Sequence, residues 1–267
     1  MTNPSSEETS PISPSAPPRP GIWEPLAQKA YRLRIILLGL PFLLAMVENG
    51  RHPLPLWALA YGIFHGQAPL SPLARRILML PALALYGAGF FMRLSATATL
   101  GARTVWRASF DDGDFHEEGL FGIVRHPIYL GSGLMILSLA LVSSPQGAGL
   151  IIGIDIPLLI LFSWLEERHL AVLHPEYHGY RKHIPALFPR GTFPTSSLKA
   201  AITILRRGGG RALRSEAANA ALLGGFLSFW ITPDLRFFWG SAVLALAVAI
   251  TAPTWEPFFR GSPSDAL

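Results

Sequence analysis

The chain has 267 residues, half of them hydrophobic and only 15% charged, with a formal net charge of +5 and no cysteine. An ordinary soluble domain carries about 25% charged residues, so this composition excludes one or two conventional soluble domains and asks for a lipid-like solvent. The missing cysteine rules out disulfides, Cys-ligated zinc and thiol catalysis. The basic excess lies in connecting segments such as 199–214, which fits the positive-inside tendency rather than nucleic-acid binding.

Residues 1–22, rich in Pro, Ser and Thr, cannot bury enough apolar surface to order and are expected to form a tail. Glu7, Glu8 and the lack of an apolar core argue against a signal peptide, leaving the first membrane helix to direct insertion. A hydrocarbon core about 30 Å thick needs about 20 helical residues, fewer where the ends snorkel. Helices are predicted at residues 33–48, 75–92, 127–143, 147–165, 217–232 and 236–253. Period-2 alternation is absent, and lipid demands that each segment satisfy its own backbone, so strands are excluded.

Residues 54–64, between Pro53 and Pro55 on one side and His65-Gly66-Gln67 on the other, either cross, dip in and return, or lie at the interface. That choice decides which side holds the N-terminus: Lys29, Arg32 and Arg34 favour the cytoplasm, whereas Arg75 and Arg76 compete. Gly87 and Gly89 read as small packing residues. The acidic group Asp111, Asp112, Asp114, Glu117 and Glu118 around His116 reads as a solvated loop, since Gly113 and Gly119 mark turns and calcium-loop spacing is absent.

The expected fold is therefore all-α, a polytopic membrane helix bundle of about five to seven transmembrane helices. N-terminal membrane helices occupy 23–94 and a core 95–190. A flexible basic linker with Gly208-Gly209-Gly210 fills 191–216, and a helical hairpin occupies 217–267 as a packing or homo-oligomerisation scaffold.

Within the core, the helices at 127–143 and 147–165 are joined by Ser143-Ser144-Pro145-Gln146-Gly147, so both open ends of this hairpin face one membrane surface. The first opens with Gly122-Ile123-Val124-Arg125-His126-Pro127-Ile128-Tyr129-Leu130-Gly131, polar where an apolar helix should simply begin. Pro127 suits the first helical position, and the exposed amides beside Arg125 make an anion site. His126, Tyr129 and Gly133 share a face. The second helix ends in Glu166 and Glu167, which antiparallel packing returns to Arg125 and His126.

Beyond them, His174-Pro175-Glu176-Tyr177-His178-Gly179-Tyr180-Arg181 reads as a short surface helix with Tyr177, Tyr180 and Arg181 on one face. An ordinary membrane-interface helix start, with snorkelling Arg and His and a Tyr belt, accounts for each motif taken alone. His174 and His178 have the spacing of helical zinc ligands, but Pro175 interrupts the turn and no third ligand is fixed, so no metal is assigned. Asp155, mid-helix, is a functional suspect on the face of Glu166, or else a packing hydrogen bond. No G-x-G-x-x-G follows a strand, so the soluble nucleotide-binding fold is not available.

Taken together, Gly122/Arg125-His126-Pro127-Ile128-Tyr129-Leu130-Gly131, then Glu166-Glu167, then Glu176-Tyr177-His178-Gly179-Tyr180 with Pro189, resemble the isoprenylcysteine carboxyl methyltransferase and phospholipid methyltransferase superfamily over residues 95–190. The resemblance implies S-adenosylmethionine as cofactor in a polar pocket above the hairpin, with His126, Tyr129, Gly131, Glu166, Glu167, Tyr177 and Tyr180 as contacts. It also implies that Arg125 and Glu167 touch the acceptor or the transferred methyl. The acceptor, a lipophilic small molecule, would arrive from the lipid bilayer, and the cofactor site would face the cytoplasm. Ile123 replaces the family's usual aromatic residue and Pro175 a loop glycine. An NADPH-dependent sterol-type reductase shares the Arg-His opening but usually has more preceding helices. A non-enzymatic scaffold or ligand-binding protein would use the same charges as helix anchors.

Overall fold

The computed structural model describes residues 29–30, 33–52, 54–65, 71–101, 116–191, 194–232 and 235–251; the expected tail and the acidic residues 111–115 lie outside these. The described residues form helices and no strand. In chain order these are α1 (Arg34–Arg51), α2 (Leu56–His65), α3 (Pro72–Leu100), a 3-10 turn (Gly119–Gly122), α4 (Pro127–Leu141), α5 (Pro145–Leu173), α6 (Tyr177–His183), α7 (Thr195–Ser215), α8 (Ala217–Ile231) and α9 (Leu235–Thr251). Two of them, α3 and α5, are long and apolar enough to cross a membrane; α4 and α8 are apolar but shorter.

Local chemistry sets the boundaries. Ser71 caps α3, its Oγ accepting from the amide of Ala74 at 3.1 Å, and Ser144 caps α5 by accepting from Gly147 at 3.2 Å. Both caps are followed by a proline, which lacks the amide that a first turn leaves idle. Within α5, Pro157 cannot bond the carbonyl of Gly153 and its ring would press on it, and the turn just before, Ile151–Asp155, widens into π geometry.

The main core lies where α3 packs on α4. The helices cross at Gly89 and Gly131, so closely that a Cβ on Gly131 would lie 2.6 Å from the carbonyl oxygen of Gly89. The side chain of Ser138 donates to the carbonyl of Ala82 about two turns away, at 2.6 Å. Beside that contact, Tyr86 of α3 packs at 4.8 Å on Phe226 of α8, and Phe238 of α9 meets Phe226 edge-on at 5.2 Å. The C-terminal hairpin is thereby fixed to α3 through aromatic packing.

The ends of these helices align. Asn49 of α1 accepts from the amide of Ser144 at 2.7 Å, and the amide of Leu56 donates to the carbonyl of Ser143 at 2.9 Å, so α1 finishes and α2 begins at the α4–α5 turn. At the same end Arg76, near the start of α3, bonds the carbonyl of Ile231. The ten-residue α2, about 15 Å long, therefore starts at the end from which α3 sets out and is half the length needed to cross. The stretch 54–64 that the sequence leaves open is this short helix. The opposite end of α1 packs through Leu37 and Leu38 on Phe162 and Leu165, close to Glu166. The start of α1, the finish of α3 and α5 and the start of α4 thus share one end.

Two differences from the sequence reading have clear causes. α3 continues past residue 92 to Leu100, because Ser95, Ala96 and Thr97 are buried against the neighbouring helices and Arg93 finds a carboxylate. Residues 195–215 are a helix where a flexible linker was expected, with Gly208-Gly209-Gly210 inside it. Three glycines cost about 1 kcal/mol each in a helix, but α7 buries Ala201 and Ala212, and Gly208 runs against Ala98 of α3.

Candidate functional site

At the shared end, the start of α4 and the finish of α5 bring together residues about 40 positions apart. Arg125 Nη2 and Nε both donate to Glu167 Oε1, at 2.6 and 3.0 Å. His126 Nε2 lies 3.1 Å from the same oxygen, and His126 Nδ1 lies 3.8 Å from Glu166 Oε2. Arg181 of α6 approaches the other oxygen of Glu167 at 3.4 Å. The two halves of the hairpin therefore meet as antiparallel packing demands.

The segment after α6 closes the cluster. The amides of Arg125 and His126 donate to the carbonyls of Pro185 and Ala186 at 2.9 and 3.0 Å, and Arg125 Nη1 donates to the carbonyls of Arg181 and Ile184. The hydroxyl of Tyr180 donates to the carbonyl of Phe121 at 2.6 Å, which ties α6 to the 3-10 turn ahead of α4. The rings of Tyr177 and Tyr180 lie 5.7 Å apart, both buried. Burial pushes both phenols well above their ordinary pKa, so each stays protonated and keeps a hydroxyl donor.

The environments of the four charged groups differ. Arg125 and Glu167 have side chains only 9% and 8% exposed, whereas Glu166 is 32% and Arg181 51% exposed. A buried carboxylate needs paired charge, and Glu167 has two guanidinium groups and an imidazole around it. Every guanidinium nitrogen of Arg125 is committed to protein acceptors. Glu166 and Arg181 are the members of the cluster that solvent or a ligand can reach.

Of the residues named from sequence, Arg125, His126, Glu166, Glu167, Tyr177 and Tyr180 lie together. Tyr129 is one turn into α4, its ring 5.6 Å from that of His126 and its side chain against Phe162 and Leu165. Gly131 lies elsewhere, in the crossing with α3, where Gly89 and Arg93 fill the space beside it. His174 pairs with Glu176 at 3.2 Å. Asp155 is buried in the π turn, with Oδ1 lacking a hydrogen-bond partner among the described residues.

A second charged cluster escaped the sequence reading. Arg93 of α3 makes a two-pronged pair with Glu216 at the head of α8, both contacts 3.0 Å, and donates to Ser132 Oγ at 2.6 Å. Thr97 and Asn219 also donate to Glu216, which is fully buried. An arginine inside an otherwise apolar helix was the available signal, since such a charge requires a buried partner. Nothing local identifies a partner 123 positions away.

An apolar helical bundle, two of whose helices have spanning length and whose buried charges and tyrosines gather at one end, defines a membrane-type protein with a polar site at a helix-hairpin mouth. The sequence model of the phospholipid methyltransferase family matches residues 77–176, somewhat over a third of the chain. That segment carries Arg125, His126, Glu166 and Glu167, and its likeness to the phospholipid methyltransferase family suggests a membrane methyltransferase. No curated protein and no solved structure matches.

Proposed function

We propose that the protein is an integral membrane methyltransferase that moves a methyl group from S-adenosylmethionine to a lipophilic or small hydrophobic acceptor. The observation that carries this reading is the convergence of Arg125 and His126 with Glu166 and Glu167 within 2.6–3.8 Å, inside the segment that matches the methyltransferase family. The donor set fits the cofactor, whose amino-acid end bears both charges: a reachable carboxylate, Glu166, stands beside a reachable guanidinium, Arg181. When bound, S-adenosylmethionine supplies an electrophilic methyl on a sulfonium.

The residues divide the work. Glu166 holds the cationic amino group and Arg181 the carboxylate. Tyr177 and Tyr180 offer an aromatic wall, Tyr180 spending its own hydroxyl proton on the carbonyl of Phe121. Arg125 and Glu167, for which the resemblance implied contact with the acceptor or the methyl, act here as positioning residues that lock the 184–186 segment over the start of α4. Methyl transfer asks mainly for in-line approach and exclusion of water, which a rigid, closed mouth provides. The acceptor enters from the bilayer between the hairpin and α1. The site end faces the cytoplasm, because Arg168, Lys182 and the five cations of α7 lie there, against Arg51, Arg75 and Arg76 at the other end.

Titration of detergent-purified protein with S-adenosylhomocysteine and separately with NADPH tests the proposal. Micromolar binding of the first is expected, weakened about tenfold by Glu166→Gln, which removes one charge-assisted hydrogen bond. His126→Ala should weaken it too. Binding of NADPH alone would replace this reading by a sterol-type reductase, and binding of neither by a scaffold.

A further inference from the structure

The five cations of α7 equal the whole net charge of the chain, and the helix contains no acid. Lys199, Arg206, Arg207, Arg211 and Arg214 are all exposed, and none forms an ion pair among the described residues. At 100° per residue they fall within one sector of the helix. The side chains that touch the protein occupy a second sector, with Ala201, Ala212 and Ser215 buried and Gly208 on Ala98. The third, between them, holds Leu198, Ile202 and Leu213, exposed by 39%, 37% and 45%. A helix that only bridged two domains in water would have no reason to expose a continuous apolar flank beside its charges.

The place of α7 in the fold says what meets those two free sectors. Its first turns lie against the 3-10 turn, with Ser197 beside Gly122 and Ala201 beside Gly119, and its end delivers Glu216 to Arg93. It therefore lies across the end of the bundle that holds Arg125 and Glu167. On the same end, exposed Trp164 is capped by the guanidinium of Arg168 at 4.2 Å, the pairing expected where a bilayer meets water. A helix at that level with leucine and isoleucine on one flank and arginine on the next matches acyl chains on one side and phosphates on the other.

We propose that α7 is an interfacial docking helix that gathers anionic phospholipid headgroups around the mouth of the site. A second copy of the chain is a poor occupant, since two faces bearing five cations each repel. The charge complementarity selects an acidic lipid surface, and the inference stands whether or not the protein transfers methyl groups.

The absence of cysteine makes the test direct. Leu213→Cys, labelled with an environment-sensitive fluorophore on the full chain, is reconstituted in phosphatidylcholine vesicles holding a trace of spin-labelled phosphatidylglycerol or, separately, spin-labelled phosphatidylcholine. Severalfold stronger quenching by the phosphatidylglycerol is expected. The preference should fall to unity in high salt and when Arg206, Arg207, Arg211 and Arg214 are all replaced by Gln, and should persist when they are replaced by Lys. The same label at Leu73→Cys, at the far end of α3, should show no preference, which separates local headgroup selection from a global effect of the variant. Equal quenching by both lipids at position 213 would overturn the proposal by removing the headgroup choice. Absence of quenching by either would overturn it by removing α7 from the lipid surface.

Discussion

Glu167→Gln is the sharpest probe of the positioning role assigned to the Arg125–Glu167 pair. The substitution keeps the shape of the side chain and removes its charge, leaving Arg125, 9% exposed, with no anion in contact. Removing one partner of a buried pair costs about 3–5 kcal/mol, and the lower figure applies here because Arg181 is half-exposed and Glu166 remains close. The loss falls on the closure of α6 and residues 184–186 over α4, since Arg125 is what bonds the carbonyls of Arg181 and Ile184. Trypsin reads that closure through cleavage after Arg181 and Lys182. In the regime where reclosing outpaces cutting, about 3 kcal/mol of lost closure raises the cleavage rate on the order of a hundredfold. Glu166→Gln, which breaks no contact to this segment, should leave the rate unchanged. A rise of less than about threefold in Glu167→Gln, worth about 0.6 kcal/mol, would refute the idea that the pair holds the mouth closed.

Three further substitutions address other parts of the structure. Gly131→Ala places a Cβ 2.6 Å from a backbone oxygen and 2.9 Å from Arg93 Cγ, so α3 and α4 must separate at a cost of about 1–3 kcal/mol; the thermal midpoint in detergent should drop, and an unchanged midpoint would argue against the crossing. Glu216→Gln strands Arg93 and should destabilise by about 3 kcal/mol, while the double replacement Arg93→Met with Glu216→Leu should recover most of that loss in the same melt; additive losses would deny the coupling. Asp155→Leu should lower turnover without abolishing S-adenosylhomocysteine binding, and unchanged turnover would make this buried carboxylate a structural group.

What could be read from the sequence is what local pattern controls. Apolar length and proline or serine punctuation fixed six helices to within a few residues at most ends, as at Pro127–Leu141 for the predicted 127–143. The short turn at Ser143-Ser144 forced an antiparallel pair, and from that alone Arg125 and His126 had to approach Glu166 and Glu167. What the local pattern does not control depends instead on distant contacts. Gly208-Gly209-Gly210 has poor helix propensity, and only the surface of α3 makes it helical. Likewise, Gly131 sits inside a motif associated with cofactor contact, yet its neighbour is decided by α3. The role of Glu216 depends on Arg93, which no window along the chain contains.

The same distinction bears on how the Arg-His-Pro opening works. A motif names residues that matter together, but it does not say which of them touch a ligand. Here Arg125 engages all three of its guanidinium nitrogens with Glu167 and two backbone carbonyls, so a conservative Arg125→Lys would lose the fork that reaches three acceptors at once even though the charge survives. Glu166, its neighbour Glu167's twin in composition, keeps a third of its side chain open. Two adjacent carboxylates on one helix point about 100° apart, and that rotation alone is enough to send one into the bundle as a tie and leave the other at the mouth, open to solvent.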